Sequence, residues 1–190
     1  MNEAVKAHPP ARASDQTGAV ASAADAAPGS APMFDLIELF FFAYRDFVGD
    51  ADRLLDNIGF GRAHHRVLHF VNRHPGLMIA ELLEILGITK QSLNRVLKEL
   101  LDTGYVEARP GVSDRRQRLL YPTAKGRRLT MDLSELQSRR FERALGELPE
   151  GTRAKAVDFL FAMIEPSERE RVASLVWNGG RTAAKGESEP

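Results

Sequence analysis

Cysteine is absent from the 190-residue sequence, which excludes disulfides, thiolate metal sites and cysteine-based redox sensing. Every apolar run is shorter than the roughly 18 residues that a membrane span requires. Residues 1–32 also lack the continuous apolar stretch of a signal peptide. A Gly-rich phosphate loop, a nucleophile elbow and a His-Glu-x-x-His pair are missing as well. These absences predict a cytoplasmic protein that is not an enzyme and has no cofactor.

Both ends of the chain are poor in large apolar side chains. Residues 1–32 contain no Phe, Tyr, Trp, Leu or Ile, and residues 178–190 are mostly small or charged. Such segments cannot bury enough apolar surface to offset the entropy of an ordered chain. The sequence therefore predicts disordered tails at 1–32 and 178–190.

Between the tails, apolar spacing and turn residues predict a mainly helical chain. Two short strands around a turn at 109–117 predict a β-hairpin. The predicted helices cover 34–48, 62–72, 79–86, 89–103, 124–148 and 152–177, the last with a kink or break at Pro166, and the strands cover 105–108 and 118–121.

The first predicted helix is apolar on more than one side. Leu36, Phe40 and Ala43 share one face, while Ile37 and Phe41 populate a second. Such a helix must be covered on both faces, which a dimer interface would do in a small protein. The alternative is an ordinary core helix.

The helix at 89–103 follows a short helix that ends at Gly87, as in a helix-turn-helix. Its inner face is leucine and valine, and its outer face carries four polar residues without an acid: Gln91, Asn94, Arg95 and Lys98. Amide and guanidinium groups can bond base edges in the major groove. Lys90 and Ser92, near the helix start, suit phosphates. The alternative is a solvated helix face.

The hairpin tip carries Arg115, Arg116 and Arg118 within four positions. These charges repel one another unless an anion is near, and a narrow DNA minor groove attracts inserted arginine. Asp114 is placed to brace a neighbouring guanidinium by a bidentate pair. The alternative is a solvated basic turn. However, residues 89–128 hold ten basic and four acidic residues, a net charge of +6 in a chain of zero total charge. Such a local concentration of positive charge favours phosphate binding.

The segment 61–126 resembles the winged-helix core of the MarR family of bacterial regulators. Asp114-Arg115-Arg116 followed by residues 119–126 is similar to the family's D-x-R … L-T-x-x-G signature, with Pro122-Thr123-Ala124-Lys125-Gly126 at its end. Pro122 departs from the signature, since leucine is commoner there. With the flanking helices, the resemblance covers about residues 33–177.

The resemblance implies a mainly α fold with a small β-hairpin wing, in which N- and C-terminal dimerisation helices flank the winged helix-turn-helix. The corresponding segments are 33–60, 61–126 and 127–177. It also implies a homodimer, usually a repressor, that binds a pseudo-palindromic operator and is often released by a small aromatic or phenolic ligand. Arg116 would enter the minor groove, braced by Asp114. The expected DNA-binding residues are Thr89, Lys90, Gln91, Ser92, Asn94, Arg95, Lys98, Arg109, Ser113, Asp114, Arg115, Arg116 and Arg118.

An effector pocket is expected between the first two predicted helices and the start of the long helix near Thr123. Arginine or histidine beside aromatic rings suits an aromatic carboxylate. The candidate lining residues are Tyr44, Arg45, Arg62, His64, His65 and His69. The alternative is that the aromatics are dimer core and that the histidines are surface groups or are satisfied elsewhere.

Two other interpretations carry less weight. His65 and His69 have the i, i+4 spacing of a metal-binding pair, but two histidines are common at this spacing without a metal, and no metal is predicted. A winged helix can also dock another protein instead of DNA. That alternative predicts no phosphate chemistry, and the Arg-rich wing argues against it.

Overall fold

A computed structural model describes residues 31–111 and 114–178, which form helices around a small antiparallel sheet. The tails predicted at 1–32 and 178–190 lie outside the described residues, apart from 31, 32 and Asn178. The elements are α1 (Phe34–Asp56), α2 (Arg62–Arg73), β1 (Leu77–Met78), α3 (Ile79–Leu86), α4 (Lys90–Asp102), β2 (Val106–Pro110), β3 (Arg118–Pro122), α5 (Ala124–Gly146), α6 (Thr152–Ala162), a 3-10 turn (Pro166–Glu168) and α7 (Arg169–Asn178).

The predicted helices are confirmed, with differences at their ends. The predicted end of the first helix at residue 48 is wrong, because Ala51 and Leu55 continue the apolar stripe of α1 and are fully buried. The predicted break near Pro166 is real, and it separates α6 from α7. A helix cannot continue unbroken through Pro166, because the proline ring clashes with the preceding helical turn.

The sheet has three strands in the order β1-β3-β2, all antiparallel. The hairpin of β2 and β3 was predicted, but β1 was not. With Leu77 opposite Leu120 and Met78 opposite Leu119, β1 pairs through two residues only. A segment of two residues is too short to show the alternation that identifies a strand in a sequence.

The core lies where α2 packs against α1, α3, α4, α5 and β3. Its fully buried large side chains are Leu55, Val67, Leu68, Val71, Leu82, Leu93, Leu100, Val106, Leu120 and Leu133. These residues come from the helices α1 to α5 and from β2 and β3, so the helix-turn-helix and the wing share one core with parts of α1 and α5.

Thr123 and Gly126 join the sheet to α5 at close range. The Thr123 hydroxyl donates to the carbonyl of Gly104 at 2.7 Å and accepts from the Gly126 N–H at 3.1 Å, which caps the helix. A Cβ placed on Gly126 would lie 2.0 Å from the carbonyl oxygen of Tyr105. These two contacts are the physical reason for threonine and glycine at these two positions.

The terminal helices leave much of their apolar surface uncovered. The first half of α1 is exposed, with Phe41 at 62% and Leu39 at 65% exposure, and neither α6 nor α7 contributes a buried residue. The C-terminal half of α1 instead contacts α5, where Arg140 Nη2 donates to Asp50 at 2.7 Å. No helix in the described part of the chain combines the length and the apolar character needed to cross a bilayer.

Candidate nucleic-acid interface and effector cavity

Helix α4 separates apolar from polar side chains as its spacing predicts. Leu93, Val96, Leu97 and Leu100 are buried, and α4 has six exposed polar residues from the expected set: Lys90, Gln91, Ser92, Asn94, Arg95 and Lys98. Thr89 is the N-cap, and its hydroxyl oxygen accepts from the backbone N–H of Ser92 at 3.2 Å. The α4 surface therefore presents hydrogen-bonding groups along its whole outer face.

Lys98 differs from the other cations of this face. It forms an ion pair with Asp102, one helical turn further on, and the hydrogen bond with Asp102 raises the pKa of Lys98. The expectation of a polar face without an acid therefore fails at its C-terminal end. This ion pair reduces the charge that Lys98 offers to a further anion.

The wing consists of β2 and β3, paired from Val106 opposite Pro122 to Pro110 opposite Arg118. The Gly111 N–H donates to Gln117 O, and the Gln117 N–H donates to Asp114 O, both at 3.0 Å. Arg115, Arg116 and Arg118 are exposed at this end of the hairpin. Ser113, which was expected to take part, lies outside the described residues.

The expected pairing of Asp114 with a guanidinium is not observed. Its Oδ1 accepts from the backbone N–H of Arg116 at 2.9 Å. A short carboxylate reaches the backbone two residues ahead more readily than a distant guanidinium, and this contact shapes the turn. Asp114 thereby fixes the backbone that carries Arg116, and no residue in the described part of the chain binds the Arg116 guanidinium.

Arg109 is held by the wing itself. Its guanidinium pairs with Glu107 and lies over the ring of Tyr121, 4.4 Å from the centroid. Arg109 therefore brings less free charge to the surface than the arginines of the wing tip.

Five expected DNA-binding cations have no carboxylate partner within residues 31–111 and 114–178. They are Lys90, Arg95, Arg115, Arg116 and Arg118. They occupy α4 and the wing, whereas α1, α5 and α7 contain arginines paired with acids, as in Arg139–Glu135 and Arg171–Glu168. Five of the seven cations expected to bind DNA are therefore without a carboxylate partner among the described residues.

A cavity of about 440 Å³ opens between α1, α2 and α5. Four of the six expected pocket residues line it, namely Tyr44, Arg62, His65 and His69. The third wall was expected near Thr123, but Gln137, from the middle of α5, occupies that place. Thr123 is instead engaged at the wing, as described above.

Arg45 and His64 were also expected in the pocket and do not line it. Arg45 pairs with the neighbouring Asp46 on the outer surface of α1. His64 is buried on the other side of α2, where its ring stacks on Phe60 and its Nε2 lies 2.8 Å from a Glu99 oxygen. The helical spacing of α2 directs His64 towards α4, while His65 faces the cavity.

The cations of the cavity wall are guanidinium groups and not imidazoles. Burial lowers the pKa of His65, and burial lowers the pKa of His69 to about 4, so both rings are neutral at neutral pH. Arg62 donates to Asp52 at 2.7 Å, and this hydrogen bond raises the pKa of Arg62. A second guanidinium, that of Arg66, completes the charged wall.

Sequence reasoning missed Arg66. It lies one turn after Arg62 and three residues before His69, so helical periodicity could have placed it on the same face. Its Nη2 donates to the carbonyl oxygen of Leu86 at 2.6 Å, at the end of α3. Among the described residues, no group of three or more His, Asp or Glu side chains is arranged to hold a metal ion.

Comparisons with known proteins agree with this architecture. A sequence model of the MarR family matches residues 58–117. The HTH-type transcriptional regulator PetP of Rhodobacter capsulatus is 48% identical over 139 residues, which is 73% of this chain and 84% of PetP.

Solved structures also resemble the chain. FabT of Streptococcus pneumoniae, in complex with DNA, superposes with a TM-score of 0.62 at 16% identity over 70% of this chain and 94% of that one. A MarR family protein of Mycobacterium tuberculosis, in complex with p-aminosalicylic acid, superposes with a TM-score of 0.50 at 25% identity over 68% of this chain and 96% of that one.

Proposed function

The chain belongs to the MarR family of transcriptional regulators, and on that premise we propose that it is a homodimeric repressor that binds a pseudo-palindromic operator. The observation that carries this proposal is the set of five cations on α4 and the wing without a described carboxylate partner. Phosphate binding requires such charge, and its release of counterions supplies much of the affinity for DNA.

Each monomer would use α4 in the major groove and the wing beside it. Gln91, Asn94 and Arg95 are exposed and can bond base edges, which gives sequence preference. Lys90 lies in the first turn of α4, where backbone N–H groups also favour phosphate. Arg116 is free to enter the minor groove because Asp114 binds its backbone and not its guanidinium.

The homodimer is supported by the uncovered surface of the terminal helices. The exposed side chains of α1, α6 and α7 include Phe34, Ile37, Leu39, Phe40, Phe41, Phe159, Leu160 and Trp177. Contiguous apolar surface of this kind marks protein interfaces. A second copy would cover it and would place two α4 helices about one DNA turn apart, as a two-fold operator requires.

Release by a small aromatic anion is the second part of the proposal. The cavity combines guanidinium groups with the rings of Tyr44, Phe47 and Phe70, which suits an aromatic carboxylate. The mycobacterial relative of similar fold has p-aminosalicylic acid bound, and that ligand is of this chemical class. We further propose that the protein acts in the cytoplasm, where the chromosome lies, and is a binding protein without catalytic activity.

Selection of duplexes from a random-sequence pool by the full-length chain tests the operator. We expect a two-fold-symmetric site of roughly 16–20 base pairs, with half-sites about one helical turn apart. Its affinity should fall steeply as salt rises. Absence of enrichment, together with salt-insensitive binding to another protein, would refute DNA recognition and favour the docking alternative.

The direction of regulation needs a separate measurement. Transcription in vitro from a promoter that overlaps the selected site should fall as the protein is added, because a bound dimer blocks the polymerase. A rise in transcript would contradict repression and identify an activator.

A further inference from the structure

We infer that Arg66 binds the anionic group of the cavity ligand and that this contact removes its guanidinium from the turn before the recognition helix α4. The inference rests on the proposed function and specifies how the cavity is connected to DNA binding. Its basis is that one side chain belongs both to the cavity wall and to the helix-turn-helix.

The position of Arg66 makes this connection direct. Its Nη2 donates to the Leu86 carbonyl at 2.6 Å, and Leu86 is the last residue of α3. Gly87 follows in the left-handed conformation, and the N-cap Thr89 then starts α4. The last carbonyls of a helix lack partners within the helix, so Arg66 satisfies a group that orients the turn.

Charge balance within the cavity singles out Arg66 as the group that meets an anion. Arg62 is already neutralised by Asp52, and the rings of His65 and His69 are uncharged at neutral pH. Arg66 has no carboxylate partner in the described part of the chain, and its hydrogen bond goes to a neutral carbonyl. A carboxylate attracts arginine more strongly than a neutral carbonyl does, because both partners are charged, and it can accept two parallel bonds.

The size and lining of the cavity suit a small aromatic monocarboxylate. Tyr44, Phe47 and Phe70 supply flat apolar walls within about 440 Å³. That volume holds one or two rings. A ring against these walls places its carboxylate towards Arg66 and draws the guanidinium away from Leu86.

His64 supplies a matched control within the same helix. Its Nδ1 accepts from the Gly61 N–H at 3.1 Å, so its Nε2 carries the hydrogen that is donated to Glu99 on α4. His64 therefore also holds the recognition helix, but it does not line the cavity. A variant at His64 should weaken the support of α4 and leave the ligand contact intact.

The test uses the full-length protein with benzoate as the probe and benzamide as its neutral counterpart. Calorimetry measures ligand binding, and fluorescence anisotropy measures affinity for the selected operator with and without ligand. We expect benzoate, and not benzamide, to bind the wild type and to weaken its operator affinity by about 5-fold or more.

The variants separate Arg66 from His64. Arg66→Gln should bind benzoate about 10-fold more weakly. Its operator affinity should already be reduced and should not fall further with benzoate. His64→Gln should have reduced operator affinity but should keep both the benzoate affinity and the response of the wild type. Arg66→Lys retains the charge without the paired bonds and should bind benzoate with intermediate affinity.

Several results would overturn the inference. The first is that Arg66→Gln binds benzoate and responds to it as the wild type does. The second is that benzoate and benzamide act equally. The third is that the wild type binds DNA but does not bind benzoate. If the wild type does not bind DNA, the proposed function is refuted instead. Calorimetry with benzoate on the wild type and the Arg66 variants would still show whether Arg66 binds the ligand. Thermal unfolding followed by circular dichroism shows whether each variant is folded. If Arg66→Gln is unfolded, the benzoate affinity of Arg66→Lys decides whether Arg66 binds the ligand.

Discussion

The two ends of the molecule expose opposite kinds of surface. At one end, α4 and the wing present cations such as Arg95 and Arg116 that have no described acidic partner. At the other end, α1, α6 and α7 present large apolar side chains, with Phe41 at 62% and Trp177 at 53% exposure. The basic end lacks anions and the apolar end lacks an apolar partner, and water is a good substitute only for the anions.

This difference bears on how each end is used. An exposed guanidinium is well solvated, so it loses little while it waits for phosphate, and its attraction to DNA weakens with salt. An exposed aromatic ring costs roughly 25 cal/mol for each Å² left in water. We therefore expect the apolar end to be covered permanently by a second copy and the basic end to bind and release DNA reversibly.

The junction between the ends should give the largest effect, because both depend on it. Gly126→Ala forces a methyl group against the carbonyl of Tyr105, where an added Cβ would lie at 2.0 Å. We expect the free energy of unfolding to fall by about 3 kcal/mol in urea titrations. Gly146→Ala is the control in the same helix, since its Cβ would meet nothing within 4 Å. Equal stability of the two variants would contradict the close approach.

Placing a charge on the apolar end tests whether a second copy covers it. Phe41→Glu should convert the dimer to monomer in sedimentation at micromolar concentration. Operator affinity should then fall about 100-fold, because the two half-sites are no longer bound together. Glu38→Gln, on the same helix, should change neither quantity. A Phe41→Glu variant that stays dimeric would place the interface elsewhere.

Between the ends, α2 holds the partly buried ring of His69, whose charged form is disfavoured by burial. The pKa of His69 is lowered to about 4 from 6.5, so the unfolded chain takes up its proton first as pH falls. The stability contributed by the neutral ring is complete above about pH 6.5 and is lost as pH falls towards about 4. Urea unfolding at about pH 7.5 and about pH 5 should show that the wild type loses roughly 2 kcal/mol more than His69→Gln. Parallel losses in the two proteins would show that this ring is not the cause.

The smallest expected effect is on DNA affinity, when an arginine without an acidic partner is compared with one in an ion pair. Arg116→Ala should weaken operator binding about 10-fold and reduce the slope of log affinity against log salt by about 1. Arg139→Ala removes the same side chain from an ion pair with Glu135 on α5 and should leave DNA affinity unchanged. Similar losses in both variants would show that net charge matters and the position of the arginine does not.

Local patterns were sufficient for the elements and for much of the candidate interface. The i, i+3, i+4, i+7 spacing of Leu93, Val96, Leu97 and Leu100 predicted the buried face of α4, and the structure buries all four. Thr89 and Thr123 stand directly before α4 and α5, and both hydroxyls accept the backbone N–H three residues further on, as an N-cap does. Periodicity and capping depend on residues within a few positions, so the sequence contains them directly.

Other features depend on contacts between residues distant in sequence. The sequence alone determined the helices, the hairpin, the outer face of α4 and the concentration of positive charge around the wing, because each follows from neighbouring residues. Only the tertiary structure turned His64 away from the cavity towards Glu99, brought Arg66 to Leu86, and paired β1 with β3. These contacts join segments 20 or more residues apart in the chain. Their partners are selected by how the elements pack, which no local pattern encodes.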